Sequence, residues 1–302
     1  MKALHILLTL KCIYKCDHCF LFSGPEQTEV FSQKFLEKVI EEAKNVQELE
    51  WICFEGGEPF LYYPLMLQGI KKANSFDLKT ALVTNGYWAA AGDAQLWLQP
   101  LKKAGLNSIS ISIGHFHDGH PRRENSQNNK SVLSIENAAE ELEIDVSWLE
   151  TKEPYINSQG ELESGGVMFR GRAADELTEN LPRKSSREFH ECPWEDLETP
   201  ERLHIDPAGR IHICQGIIIG EAGEAKDKSL AKLIEDYDPY NHPIIEPLIK
   251  GGPRQLAKET NYNADADYVD ACHFCFEIRR KLLDTGKCNE YLAPMSVYDL
   301  SG

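Results

Sequence analysis

Apolar residues change their rhythm along the chain, and each change marks an element. Residues 4–10 are apolar at nearly every position, as in a strand buried on both faces. Over residues 31–46, Phe31, Phe35, Leu36, Val39, Ile40 and Ala43 recur at helical spacing. Residues 51–54 give a second buried strand, 65–73 a helix with Pro64 suited to its first turn, and 79–84 a third strand. Residues 93–104 form a helix stopped by Gly105, and 108–113 a fourth strand. Ser131 is placed to cap a helix running to Leu142, and 143–149 is a fifth strand. Residues 166–170 are expected to supply a sixth, after a Gly-, Ser- and Glu-rich loop over 150–165. Such β-α-β-α order calls for an α/β fold with a parallel sheet and right-handed crossovers. Ligands then gather beyond the C-terminal strand ends.

The first of those ends carries a C-x3-C-x2-C array, Cys12, Cys16 and Cys19. Soft thiolates select an iron–sulfur cluster or zinc. Structural zinc takes four ligands, and no fourth Cys or His lies where this loop closes easily. The second strand runs into Glu55-Gly56-Gly57-Glu58-Pro59, where paired glycines let the backbone approach a ligand closely. The third ends in Thr84-Asn85-Gly86, readable also as plain turn chemistry. The fourth contributes Ser110 and Ser112, then His115, His117 and His120. These histidines suit substrate positioning or proton transfer, or are solvated loop residues. Residues 122–130 are polar and Asn-rich, as in a mobile loop, and Arg170 and Arg172 suit a carboxylate or phosphate clamp, or surface salt bridges.

The cysteine spacing, joined to GGE one strand later, resembles the radical S-adenosylmethionine (SAM) superfamily. That resemblance implies a partial (β/α)6 barrel over residues 1–185. It implies a [4Fe–4S] cluster on Cys12, Cys16 and Cys19, whose open iron chelates SAM. His18 fills the position before the last cysteine. Gly56, Gly57 and Glu58 would hold the SAM amino group, and Thr84, Asn85 and Ser112 would lie along the cofactor. Reductive cleavage then gives methionine and a 5′-deoxyadenosyl radical that abstracts hydrogen from substrate.

Past a boundary near 185 lies a second cysteine group: Cys192, Cys214, Cys272 and Cys275. Asp206-Pro207-Ala208-Gly209 reads as the turn of a β-hairpin bearing Cys214, and 276–283 as a closing helix. Four thiolates on a small hairpin/helix scaffold can ligate a four-iron cluster or one zinc. The pattern resembles the twitch appendage, a shortened SPASM domain, which implies a second, auxiliary [4Fe–4S] cluster over residues 186–302. Cys192 is the least regularly spaced ligand; Cys288 is a candidate to replace it, a free thiol, or a hydrogen-atom donor of the kind radical epimerases use. Cys53, inside the second strand, reads as a small buried residue.

Composition trims the alternatives. A formal net charge of −16 argues against a nucleic-acid partner, which needs excess Lys and Arg on some face. No stretch approaches the ~20 apolar residues of a membrane helix. The chain enters a strand at once, without a signal peptide, so nine cysteines point to metal in a reducing cytoplasm. The expectation is an oxidoreductase acting on a small molecule or peptide, with electrons from a flavodoxin or ferredoxin. The rivals are a redox-neutral epimerase and a non-catalytic iron–sulfur or zinc protein.

Overall fold

A computed structural model describes residues 1–116, 127–223 and 228–300. β1 (Ala3–Thr9), β2 (Trp51–Gly56), β3 (Lys79–Thr84), β4 (Leu106–Gly114) and β5 (Asp145–Thr151) pair in parallel, each with the next. α1 (Gln33–Ala43), α2 (Tyr63–Asn74), α3 (Ala94–Ala104) and α4 (Gln127–Glu141) make the crossovers. Leu4, Ile6 and Leu8 of β1 and Ile52 and Phe54 of β2 are fully buried in one core with Leu36 and Ile40 of α1. The other face of the same strands carries His5, Leu7, Cys53 and Glu55, so polar groups stand among apolar ones on the inner face of the sheet. Caps fix the helix ends as the sequence implies. Ser32 accepts from Phe35 N ahead of α1, and Gly105, at φ +115°, closes α3.

Three expectations fail for local reasons. Residues 166–170 form no strand: Gly165 and Gly166 turn the chain at φ +62° and +85°. β5 is therefore an edge of the sheet, with Trp148 and Leu149 about half exposed (53% and 48%). Inside the expected 150–165 loop, β6 (Tyr155–Ile156) and β7 (Leu162–Glu163) pair as a short hairpin. Ser131 does not cap α4 but sits buried within it, because the helix starts earlier, at Gln127. Residues 117–126, which include His117, His120 and most of the Asn-rich stretch, lie outside the described residues.

After α5 (Arg172–Glu176) and β8 (Lys184–Ser185), the hairpin forms as β9 (Arg202–Ile205) and β10 (Arg210–His212), followed by β11 (Ile218–Glu221). The Asp206 carboxylate accepts from Ala208 N, Arg210 N and Arg210 Nε and so holds the turn. β9 lies parallel to β1, with His204 opposite His5. The hairpin thus continues the barrel sheet, giving eight strands in the order β11-β10-β9-β1-β2-β3-β4-β5. α6 (Leu230–Glu235), α7 (Ile245–Glu259), β12 (Asp267–Tyr268), which pairs with β8, and α8 (Ala271–Asp284) complete the chain. α8 starts five residues before the expected 276 because Asp270 caps it, accepting from His273 N at 2.7 Å. That start places Cys272 and Cys275 in its first turns.

Candidate active site

The cysteine array follows β1 as a loop pinned at both ends. Cys12 N donates to Gly24 O (3.0 Å) and Cys19 N to Cys16 O (3.1 Å). Arg172, an expected ligand clamp, is instead buried against this loop. Its guanidinium donates to Cys16 O (2.7 Å) and Ser23 O (2.9 Å), and its backbone N to Cys19 O (2.9 Å). Gly171 before it touches Phe20 so closely that a Cβ would sit 2.4 Å from Phe20 Cα.

The glycine pair does a related job. A Cβ on Gly57 would lie 2.0 Å from Lys11 O, and one on Gly56 2.4 Å from Thr9 O. These glycines bring the end of β2 against the cysteine loop, with Gly57 N donating to Thr9 O and Glu58 N to Lys11 O. Glu58 is fully buried. Its carboxylate accepts from Thr84 Oγ1 (2.8 Å), Asn85 N (2.8 Å) and Phe60 N (3.1 Å), stapling the ends of β2 and β3 together. Thr84 Oγ1 also accepts from Gly86 N and Trp88 Nε1, while Asn85 Nδ2 reaches Cys12 Sγ at 3.6 Å.

Burial raises the Glu58 carboxyl to about 7, against the pull of those hydrogen bonds. A group with a raised folded pKa stabilises the fold fully below its ordinary value of 4.5 and loses that contribution as pH rises through about 7. Urea unfolding midpoints should therefore fall between pH 5 and pH 8, and the fall should be smaller in Glu58→Gln. An equal fall in both proteins would show that Glu58 is not its source.

Over this loop opens a cavity of about 510 Å³, within the usual range for small-molecule sites. Cys12, Cys16, Cys19, His18, Gly56, Gly57, Thr84, Asn85 and Ser112 all line it. His18 packs on Phe116 with ring centroids 4.8 Å apart. His115 is not among the lining residues; it meets Glu153 at 3.5 Å on the surface. Other lining residues were not marked by the sequence, Trp148, Met168 and Glu55 among them. Trp148 and Met168 carry no motif, and Glu55, one residue before the glycine pair, was legible only from its inward parity with Cys53. Burial works against a charge on Glu55, but His5 at 3.2 Å, His204 and Arg202 together outweigh it and hold the carboxyl down at about 2.

The second cysteine group also converges. Cys192, Cys214, Cys272 and Cys275 line one small cavity with Arg170 and Arg279, both buried, whereas Cys288 is not among its lining residues. Arg170 donates to Cys214 Sγ and to Gln215 Oε1, each at 2.7 Å, and meets Glu195 at 3.5 Å. Arg279 donates to Gln215 O, Tyr298 Oη and Cys275 O, all neutral.

Both cysteine sets fit metal clusters in donor type and charge. Burial lifts the Cys12, Cys16 and Cys275 thiols to about 11, 12 and 11, so bound metal must supply the charge that makes them thiolates. Among the described residues, the two buried arginines beside four cysteines have Glu195, itself shared with Arg202, as their one ion-paired carboxylate; metal-bound thiolates would offset them. Among the described residues, one group of three side chains of metal-ligating type has its ligand atoms all within 4.8 Å of one another, and it lies elsewhere, at His5, Cys53 and Glu55.

Residues 6–151 match the Radical SAM superfamily model. The chain carries a radical SAM domain. A curated relative, the putative peptide biosynthesis protein YydG of Bacillus subtilis (strain 168), is 22% identical over 157 residues, 52% of this chain and 48% of the relative. The chain thus matches about half the length of that relative. Its fold is shared with BtrN, solved in complex with AdoMet and 2-DOIA: TM-score 0.51, 14% identity, 88% of both chains covered. A structure of anSMEcpe with bound AdoMet and Cp18Cys peptide gives a TM-score of 0.49 at 13% identity, over 94% of this chain and 97% of that one. No helix among the described residues is long and apolar enough to cross a membrane.

Proposed function

We propose that this chain is a two-cluster radical SAM oxidoreductase that abstracts hydrogen from a peptide or small-molecule substrate. Its seven motif cysteines divide between two cavities, three in one of about 510 Å³ and four in one of about 20 Å³, and that division carries the reading. Cys12, Cys16 and Cys19 would hold the first cluster. When loaded, it and SAM supply a 5′-deoxyadenosyl radical to the cavity. The chain's own residues do the rest. Arg172 and the glycine pair fix the cysteine loop, Asn85 and Ser112 offer polar atoms along the cofactor space, and His18 on Phe116 walls its side. Cys192, Cys214, Cys272 and Cys275 would hold the auxiliary cluster. Four protein ligands leave it no open iron, so its role is to take or relay the electron released when the substrate is oxidised. Arg170, donating to Cys214 Sγ, stabilises added negative charge there.

A peptide substrate is favoured by the peptide-biosynthesis name of the YydG relative and by the open edge at β5. The first cluster's electrons would come from a flavodoxin- or ferredoxin-type donor in the cytoplasm. Cys288 is not among the residues lining the main cavity, which favours the oxidoreductase reading over the epimerase alternative.

Electron paramagnetic resonance of the reduced, reconstituted chain tests the assignment. The wild type should show two signals, of which SAM alters one. Cys12/Cys16/Cys19→Ala should keep only the signal indifferent to SAM, and Arg170→Met should make that cluster harder to reduce. A triple variant with no signal would remove the auxiliary cluster and put the redox-neutral reading ahead.

A further inference from the structure

We propose that His5, Cys53 and Glu55 form a third, mononuclear metal site for a zinc-class divalent cation on the floor of the main cavity. The site stands on strand geometry and is independent of the cluster assignments. His5 on β1 is in register with Cys53 on β2, and Glu55, two residues on, points to the same inner face. Cross-strand neighbours bring their side chains together on rigid, hydrogen-bonded backbone. The imidazole nitrogen, the thiol sulfur and a carboxylate oxygen all lie within 4.8 Å of one another. Ligands on one tetrahedral ion, bonded at about 2.0–2.3 Å, need to come that near. Imidazole, thiolate and carboxylate together suit zinc rather than the hard cations magnesium and calcium.

The hydrogen bonding around Glu55 points the same way. Arg170 can only donate, so Gln215 Oε1 accepts from it, and the Gln215 amide nitrogen must donate to His204 Nε2 at 3.0 Å. His204 Nε2 therefore offers a lone pair, not a proton, to Glu55 Oε1 3.3 Å away. On the other side, His5 Nδ1 approaches Glu55 Oε2 at 3.2 Å without hydrogen-bond alignment. Two lone pairs thus face each other at Glu55 Oε1, and a divalent cation shared with His5 and Cys53 would offset the charge of this carboxylate. Glu55 also lines the main cavity, so the site borders that space. A water, carboxylate or carbonyl oxygen of a substrate would complete the tetrahedron.

The test uses the anaerobically reconstituted chain with one equivalent of zinc sulfate, desalted, then analysed for zinc, iron and sulfide and by zinc K-edge absorption. About one zinc per chain, bound by a single sulfur with nitrogen and oxygen, is expected. Cys53→Ser and Glu55→Gln should each lower retained zinc at least about tenfold, while Cys288→Ser should not. Zinc that is not retained, that carries four sulfurs, or that is indifferent to Cys53→Ser would reduce the group to a His5–Glu55 ion pair. The sulfur count on the wild type decides even if a variant fails to fold. Iron and sulfide report the clusters separately, so their absence would leave the zinc result readable.

Discussion

Replacing Cys12, Cys16 and Cys19 together with alanine should lower iron after reconstitution from about eight atoms per chain to about four, with sulfide falling in parallel. The size of the step rests on the division of the cysteines. The first three line one cavity and the other four another, so removing the first three should empty one centre and leave Arg170, Arg279 and the second cysteine set unchanged. Substituting Cys192, Cys214, Cys272 and Cys275 should produce the complementary loss. About four irons in the wild type falling to none would mean that the second set holds no iron, and the electron-relay role would fall with it.

Gly57→Ala should have nearly as large an effect without touching a ligand. The added methyl would meet Lys11 O at 2.0 Å, Lys11 C at 2.5 Å and Leu10 C at 2.9 Å, all backbone atoms with no rotamer to escape into. The end of β2 must then part from the loop, straining the bonds from Gly57 N to Thr9 O and from Glu58 N to Lys11 O. Overpacking at about 1–3 kcal/mol and two hydrogen bonds at about 1 kcal/mol each give a loss of roughly 3–5 kcal/mol. Thermal unfolding should shift down accordingly, and iron should drop toward the value of the triple cysteine variant. Full iron and an unchanged melting temperature would show that the loop tolerates displacement and that the close approach is incidental.

The parallel sheet was readable because β1 to β3 are short apolar runs and the helices between them keep one apolar face, a pattern that depends on burial alone. The sixth strand was misread for the opposite reason: Gly165 and Gly166 adopt left-handed turns that apolar neighbours such as Val167 and Phe169 cannot reveal. The hairpin at 202–212 was legible from its Asp206–Gly209 turn, but not its place beside β1, which rests on pairing of His204 with His5 across nearly two hundred residues. In the site, the cysteines and GGE are a local signal and were legible at once. Arg170 and Arg172 were misassigned because their chemistry lies in their partners: carbonyls and a thiol supplied by distant segments. Glu55 was passed over beside a stronger motif, although its parity with Cys53 placed it inside the barrel.

The measurement that tests the central claim most directly is the fate of SAM in the reduced, reconstituted wild-type chain without added substrate. The account predicts methionine and 5′-deoxyadenosine in equal amounts, and neither from the Cys12/Cys16/Cys19→Ala protein. Intact SAM in a chain carrying its full complement of iron and sulfide would contradict it.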